Sequence, residues 1–280
     1  ARHGRRLRLK SPMASLRQTT TTIGDIPAME PLFSIITVTF NAESTIVPTI
    51  ESVACQKSDL FEWIVIDGAS SDGTVDLVRR AAMPHTLIVS EPDRGLYDAM
   101  NKGLNRARGE YVIFLNAGDR FHSSDVIERL TREALDNDFP GIIYGQTDIV
   151  DAEGHKLAGR HLEAPAVLTF DSFRNGMVVC HQAFVALRKI TGDFNLRYRF
   201  SADYEWCLRV LKRSRRNLYI DDVLIDYLAE GQTTANRRAS LRERFSIMCD
   251  YFGTWDTIKR HLSFIPRYLR RRRIEKAFIK

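Results

Sequence analysis

The sequence holds no CxxC pair, no GxxxxGKS/T, no GxGxxG after its first apolar run and no GxSxG. The last three absences exclude a P-loop, argue against a dinucleotide-binding dehydrogenase and leave no serine-hydrolase elbow. Its four cysteines (Cys55, Cys180, Cys207, Cys249) are scattered. That spacing suits neither a disulfide framework nor a zinc site, and the expectation is a reducing compartment. No apolar run approaches the roughly 20 residues needed to span a bilayer. The basic N-terminus is not followed by an apolar segment of the signal-peptide kind. The expected location is cytoplasmic, or peripheral on the cytosolic face of the inner membrane.

Positive charge is also missing where a nucleic-acid binder would need it. The chain of 280 residues carries a net +6, but residues 1–10 hold five basic and no acidic side chains. Residues 259–280 hold nine basic and one acidic, so the span 11–258 is left at −7. An acidic body between basic ends excludes a nucleic-acid-binding core and points the ends toward an anionic surface. At 44% hydrophobic and 27% charged, the chain has enough apolar material for a sizeable globular core.

From Phe33 the pattern alternates. FSIITVTF, FEWIVID, HTLIVSE and YVIFLN read as strands. ESTIVPTIESVACQ, SSDGTVDLVRRAA and GLYDAMNKGLNRAR between them read as helices, the first with Pro48 as an irregularity. This order predicts an α/β fold with a mostly parallel central sheet flanked by helices. After Pro140 the alternation stops. GIIYGQTDIVDAEGHKLAGR predicts a hairpin turning at 151–154, ADYEWCLRVLKR a helix, and LYIDDVLIDYLA two short strands.

Ligands of open parallel sheets bind outside the carboxyl ends of the strands. The predicted ends carry Asn41, Asp67, the segment Glu91-Pro-Asp93, and Asn116 with Asp119. Each residue alone is an ordinary turn or cap residue. Their coincidence on one edge marks a site.

The stretches FSIITVTFNAESTIVPTIESVACQ, EWIVIDGASSDGTVDLV, EPDRGLYDAMNKGLNRARGEYVIFLNAGD and SADYEW resemble the inverting family 2 glycosyltransferases over residues 32–230. The likeness is to the branch that builds bacterial surface polysaccharides and glycolipids, including colanic-acid-type transferases. It implies a GT-A-like nucleotide-sugar-binding fold, a divalent cation (Mg2+ or Mn2+), a nucleotide-sugar donor and a glycan or lipid-linked acceptor. Carried over by position, Asp67 would bind the nucleobase, flanked by Thr39 and Asn41. Asp93, Arg94 and Gly95 would lie near the ribose or sugar. Asp119 would hold the cation that bridges the donor phosphates, with Asn116 offering a neutral oxygen where acids often stand. Asp203 would be the general base, ahead of Glu205 on another helix face. His181 and Gln182 would line the acceptor side, although a histidine beside an apolar run is as often a structural residue.

The resemblance divides the chain into a basic lead-in (1–31), a donor half (32–140), an acceptor half (141–235) and a basic helical tail (236–280). In the tail, Trp255, Ile258, Leu262 and Ile265 recur at helical spacing ahead of the arginines at 270–273. That pattern suits an anionic membrane surface, and equally a packed helix with a solvated charge run. The absence of QxxRW and of spanning helices argues against a processive synthase. Two rival readings are a sugar nucleotidyltransferase, whose basic Gly-rich loop is missing, and an inactive nucleotide-sugar or membrane-binding scaffold.

Overall fold

The computed structural model describes residues 30–160, 162–229 and 237–262. The readings of the lead-in through residue 29 and of the tail beyond residue 262 lie outside them. The apolar runs form β1 (Phe33–Thr39) and β2 (Phe61–Asp67), followed by β3 (Thr86–Ser90) and β4 (Tyr111–Phe114). All seven residues of β1 are buried, because helices cover both sheet faces. Period-2 alternation sends Ile36, Val38, Ile64 and Ile66 into one core with α3 (Leu96–Leu104) and α5 (Ala202–Arg213). Phe33, Ile35, Trp63 and Val65 enter the other, with α1 (Ile46–Ala54), α2 (Thr74–Arg80) and α4 (Val126–Asp136). Pro48 does not break α1, because it is the third helical residue. An N–H there would have no intrahelical acceptor in any case.

With β5 (Arg120–Phe121), β6 (Ile142–Val150), β7 (Lys156–Gly159), β8 (Phe184–Leu187) and β9 (Asn217–Leu228), the sheet runs β3-β2-β1-β4-β8-β6-β9-β5, and β7 pairs with β6. It is mixed, which corrects the expectation of a mostly parallel sheet. The pairs β1–β2, β1–β4, β2–β3 and β6–β9 are parallel. The pairs β4–β8, β5–β9, β6–β7 and β6–β8 are antiparallel. The reason lies in β8 (Phe184–Leu187), which follows a short 3-10 turn, His181–Ala183, at the carboxyl end of β4. From there the chain runs back along β4. β6 (Ile142–Val150) pairs with the far side of β8, so it again runs parallel to β4 and ends on the same edge.

The hairpin read after Pro140 forms between β6 and β7. LYIDDVLIDYLA, read as two strands, belongs to the single strand β9 (Asn217–Leu228). Its pairing with β6 shifts register beside Tyr144 and Gln146. The exposed Asp221 and Asp222 sit at this irregularity instead of making a turn. β5 (Arg120–Phe121) closes the order against β9, and α6 (Arg237–Phe252) packs Ile247 and Met248 into the α3–α5 core. Among the described residues no helix is long and apolar enough to cross a membrane.

Candidate active site

Parallel pairing sets Thr39, Asp67 and Ser90 side by side at the carboxyl edge. Asp67 is buried there, and it organises the turns around it. Its Oδ2 accepts from the Ser70 N–H (2.9 Å) and the Ser90 hydroxyl (2.6 Å), its Oδ1 from the Ser70 hydroxyl (2.5 Å). The Asn41 N–H donates to Ser70 Oγ (2.8 Å), and Asn41 Oδ1 accepts from the Ser71 N–H (2.9 Å). Asn41 has φ of 47°, a left-handed conformation that asparagine tolerates better than most residues. The β1–α1 and β2–α2 turns are thus tied into one unit. Thr39 Oγ1 is buried beside it with no partner among the described residues.

Asp93 joins this edge over Gly68. A Cβ on Gly68 would meet Asp93 Oδ2 at 2.6 Å and Phe40 Cδ2 at 3.3 Å, so only glycine leaves the two in place. Phe40 is 61% exposed and offers a flat apolar ring. The Gly95 N–H donates to Asp93 Oδ1 (2.7 Å), and Gly95 holds φ of 116° ahead of α3. Arg94 points outward and pairs with Asp98 (2.9 Å).

Asn116, Asp119, His181, Gln182 and Asp203 come together in a second group, with Asp119, His181 and Gln182 buried and Asn116 and Asp203 half-buried. Asp203 lies in the first turn of α5. Its Oδ1 accepts from the Tyr97 hydroxyl (3.0 Å) and the Tyr204 N–H (2.9 Å), and His181 Nδ1 lies 3.5 Å from its Oδ2. Burial alone would push this carboxyl up. The His181 ring beside it, with Arg244 and the Tyr204 N–H, outweighs burial and holds it below its ordinary value. Burial and the Asp203 charge drive the Tyr97 phenol the other way, well above its usual range, so it stays a donor.

Asp119 is enclosed more tightly. Its Oδ2 accepts from Gln182 Nε2 (2.7 Å) and its Oδ1 from the Leu228 N–H (3.2 Å). Burial pushes its carboxyl up to about 6 despite those donors. The Cys180 thiol donates to Gln182 Oε1 (2.8 Å) and so fixes which end of the amide faces Asp119. Asn116 Nδ2 lies 3.4 Å from His181 Nε2, and Asn116 Oδ1 is buried with no partner among the described residues. Glu205 is elsewhere, accepting from Tyr251 (2.6 Å) and Arg209 (2.9 Å).

The sequence reading missed Phe40, Tyr97 and Arg244. Phe40 stands at the end of the first apolar run and Tyr97 within GLYDAMNKG, but nothing local marks either side chain. It also missed His122, Asp148 and Asp226, whose ligating atoms lie within 4.8 Å of one another where β6, β9 and the end of β5 meet. Three separate segments supply them, so no spacing signature exists. Both carboxylates already face cations: Lys156 Nζ is 2.7 Å from Asp148, and Arg120 Nε is 3.4 Å from Asp226.

Among known proteins, the chain is 31% identical over 185 residues to the PGL/p-HBAD biosynthesis glycosyltransferase of Mycobacterium tuberculosis, covering 64% of this chain and 69% of the relative. The crystal structure of S. aureus TarS 1-349 in complex with UDP-GlcNAc shares the fold at TM-score 0.63 and 17% identity, over 83% of this chain and 73% of that one. The mannosyltransferase PcManGT from Pyrobaculum calidifontis, in complex with GDP-Man and Mn2+, does so at TM-score 0.57 and 18% identity, over 86% and 76%. The family model described as Glycosyl transferase family 2 matches residues 34–191, from β1 through the 181–183 turn and past β8. By that match, which takes in the strand edge and the turn that reaches both Asp119 and Asp203, the chain belongs to glycosyl transferase family 2.

Proposed function

We propose that this enzyme moves one sugar, with inversion, from a nucleotide-sugar donor to a hydroxyl of a glycan or lipid-linked acceptor in surface polysaccharide or glycolipid synthesis. The observation that carries the mechanism is the Asp203 carboxylate, half-buried beside Tyr97 and His181 and held ionised. Inversion needs a base on the face opposite the leaving group. In this reading Asp203 takes the acceptor hydroxyl's proton as that oxygen bonds to the anomeric carbon. The bond from that carbon to the phosphate oxygen breaks, and the nucleoside diphosphate leaves with the electron pair.

The donor end follows from the edge unit. Asp67, Asn41 and Thr39 are assigned to the nucleobase side, with the exposed Phe40 ring as a stacking face. Asp93, Arg94 and Gly95 are assigned to the ribose or sugar. The finer description of the fold as GT-A-like is supported by the four parallel strands β3-β2-β1-β4 that build this edge. The division into a donor half (32–140) and an acceptor half (141–235) follows the same assignment, with the two halves sharing one sheet. A catalytically inactive scaffold would have no use for a half-buried base kept charged against the cost of desolvation.

The residues at 116–119 fit a hard divalent cation. Among the described residues Asn116 Oδ1 is buried with no partner and each Asp119 oxygen accepts a single N–H, so both retain acceptor capacity. Mg2+ or Mn2+ bound there supplies positive charge to the diphosphate as it leaves. Here Asn116 and Asp119 are the groups assigned to hold it, and Gln182 and the Leu228 N–H keep Asp119 oriented.

The test is thermal unfolding with UDP, GDP, dTDP or CMP, each with and without Mn2+. One nucleotide at 100 times its Kd stabilises by about 2.7 kcal/mol, roughly 5–10 °C for a chain of this size. A Mn2+-dependent shift with one nucleotide is expected and names the donor class; no shift with any nucleotide overturns the reading.

Trp255 is 78% and Leu262 59% exposed on the helical segment 254–262, directly before the arginine-rich end of the chain. This supports contact of the tail with an anionic membrane surface. Deleting residues 263–280 is expected to lower sedimentation with phosphatidylserine vesicles about tenfold. Equal partitioning of the two chains rejects that contact.

A further inference from the structure

We propose that His181 is a positioning residue that couples the two ends of the reaction, its Nδ1–H holding Asp203 and its Nε2 turning the Asn116 amide so that Oδ1 is left free for a cation. The proposal rests on the assignment of Asp203 as base and of residues 116–119 as the cation end. Its own ground is the hydrogen-bond chemistry of one ring. A carboxylate accepts and does not donate, so the ring nitrogen 3.5 Å from Asp203 Oδ2, Nδ1, is the one that carries the proton. In a neutral imidazole the other nitrogen is then an acceptor, and it can be met only by a donor. Asn116 presents one there, with Nδ2 3.4 Å from Nε2. That contact decides which way the amide faces. The oxygen is turned away from the ring, and it is this oxygen that is buried with no partner among the described residues.

An unpaired buried amide oxygen costs free energy unless a ligand satisfies it. The same turn acts on both candidate chemical groups, because the next residue, Gln182, donates to Asp119. His181 need not touch substrate or cation to matter. It keeps Asp203 in place for the proton and keeps an oxygen, not an N–H, facing the cation.

Two substitutions separate these duties. Asparagine at 181 can place an amide N–H where Nδ1 was and has no atom near Asn116. Glutamine can reach the Nε2 position and leaves Asp203 Oδ2 without its donor. With the full-length enzyme, His181→Asn is expected to weaken Mn2+-dependent binding of the nucleoside diphosphate about tenfold or more and, at saturating Mn2+, to lose less in kcat than His181→Gln. His181→Gln is expected to do the reverse, keeping Mn2+-dependent binding and losing about 10- to 100-fold in kcat. Equal losses in both variants, or none in either, overturn the proposal.

A third measurement uses the unaltered protein and does not depend on a variant folding. In 15N-histidine spectra the neutral His181 ring is expected to carry its proton on Nδ1; a proton on Nε2 overturns the coupling. Asp203→Asn distinguishes the possible failures. If it is inactive while the two histidine variants do not split, only the coupling falls. If it is active, the base assignment falls and the coupling with it.

Discussion

Asp203→Asn is expected to lower kcat by roughly 10²–10⁴-fold, the range that a positioned general base contributes. Binding of the donor nucleotide should stay within about threefold, because the edge formed by Asn41, Asp67 and Asp93 is untouched. The substitution is nearly isosteric. Its amide oxygen can still accept from Tyr97 and the Tyr204 N–H, while its NH2 faces His181 Nδ1–H and removes the basic lone pairs. Single-turnover transfer and nucleotide titration on the same sample separate the two effects. Activity near wild type would reject Asp203 as the base.

The lowered Asp203 value has a pH consequence with a definite sign. Burial opposes ionisation, but His181, Arg244 and the Tyr204 N–H overcome it, so the carboxylate stays charged below the ordinary aspartate range. Protonation of Asp203 therefore limits kcat only at pH values below that range. The same pairing stabilises the folded chain at pH above the unfolded-state value, and the stabilisation is lost as pH falls through the lowered folded value.

Asp119→Asn is expected to abolish the Mn2+-dependent part of nucleotide stabilisation, taking a shift of roughly 5–10 °C to under about 1 °C. EDTA should do the same to the unaltered enzyme and abolish transfer. The substitution also leaves Gln182 Nε2 or the Leu228 N–H facing an amide NH2, at a cost of about 1–3 kcal/mol in stability. Unfolding without nucleotide measures that cost separately. His122→Ala or Asp148→Asn provides the contrast. If the cation sits at 116–119, neither changes the Mn2+-dependent shift by more than about twofold in ligand affinity. If it sits at the His122–Asp148–Asp226 group, the pattern reverses. Lys156 and Arg120 already balance those carboxylates, and a cation there would first have to displace them.

Much of the carboxyl edge of β1, β2 and β3 was legible in the sequence because its cues act over a few residues. The run FEWIVID is β2 from end to end, and ADYEWCLRVLKR is α5 from end to end. Period-2 apolar runs marked the strands, helical spacing marked α3, and the turn residues Asn41, Asp67 and Asp93 fell where strand ends were expected. The same local cues misled at LYIDDVLIDYLA. It reads as two short strands, yet pairing with β6 carries one strand through it, with the irregularity at Asp221 and Asp222.

The buried half of the candidate site was legible only as residue types. Asp119, His181, Gln182 and Asp203 were all picked out, but no spacing shows that one turn reaches both carboxylates. Tyr97 meets Asp203 across 106 positions, Asn116 meets His181 across 65, and Gln182 meets Asp119 across 63. Such contacts depend on strand order and direction, above all on β8 running back along β4 and so anchoring the 181–183 turn at the carboxyl edge. By itself the sequence determined the strand–helix alternation, the acidic body and the edge on which the polar residues gather. Tertiary structure alone decided the mixed sheet, the partners of each carboxylate and therefore their charge, because hydrogen bonds and burial between distant segments exist only once the chain has closed around them.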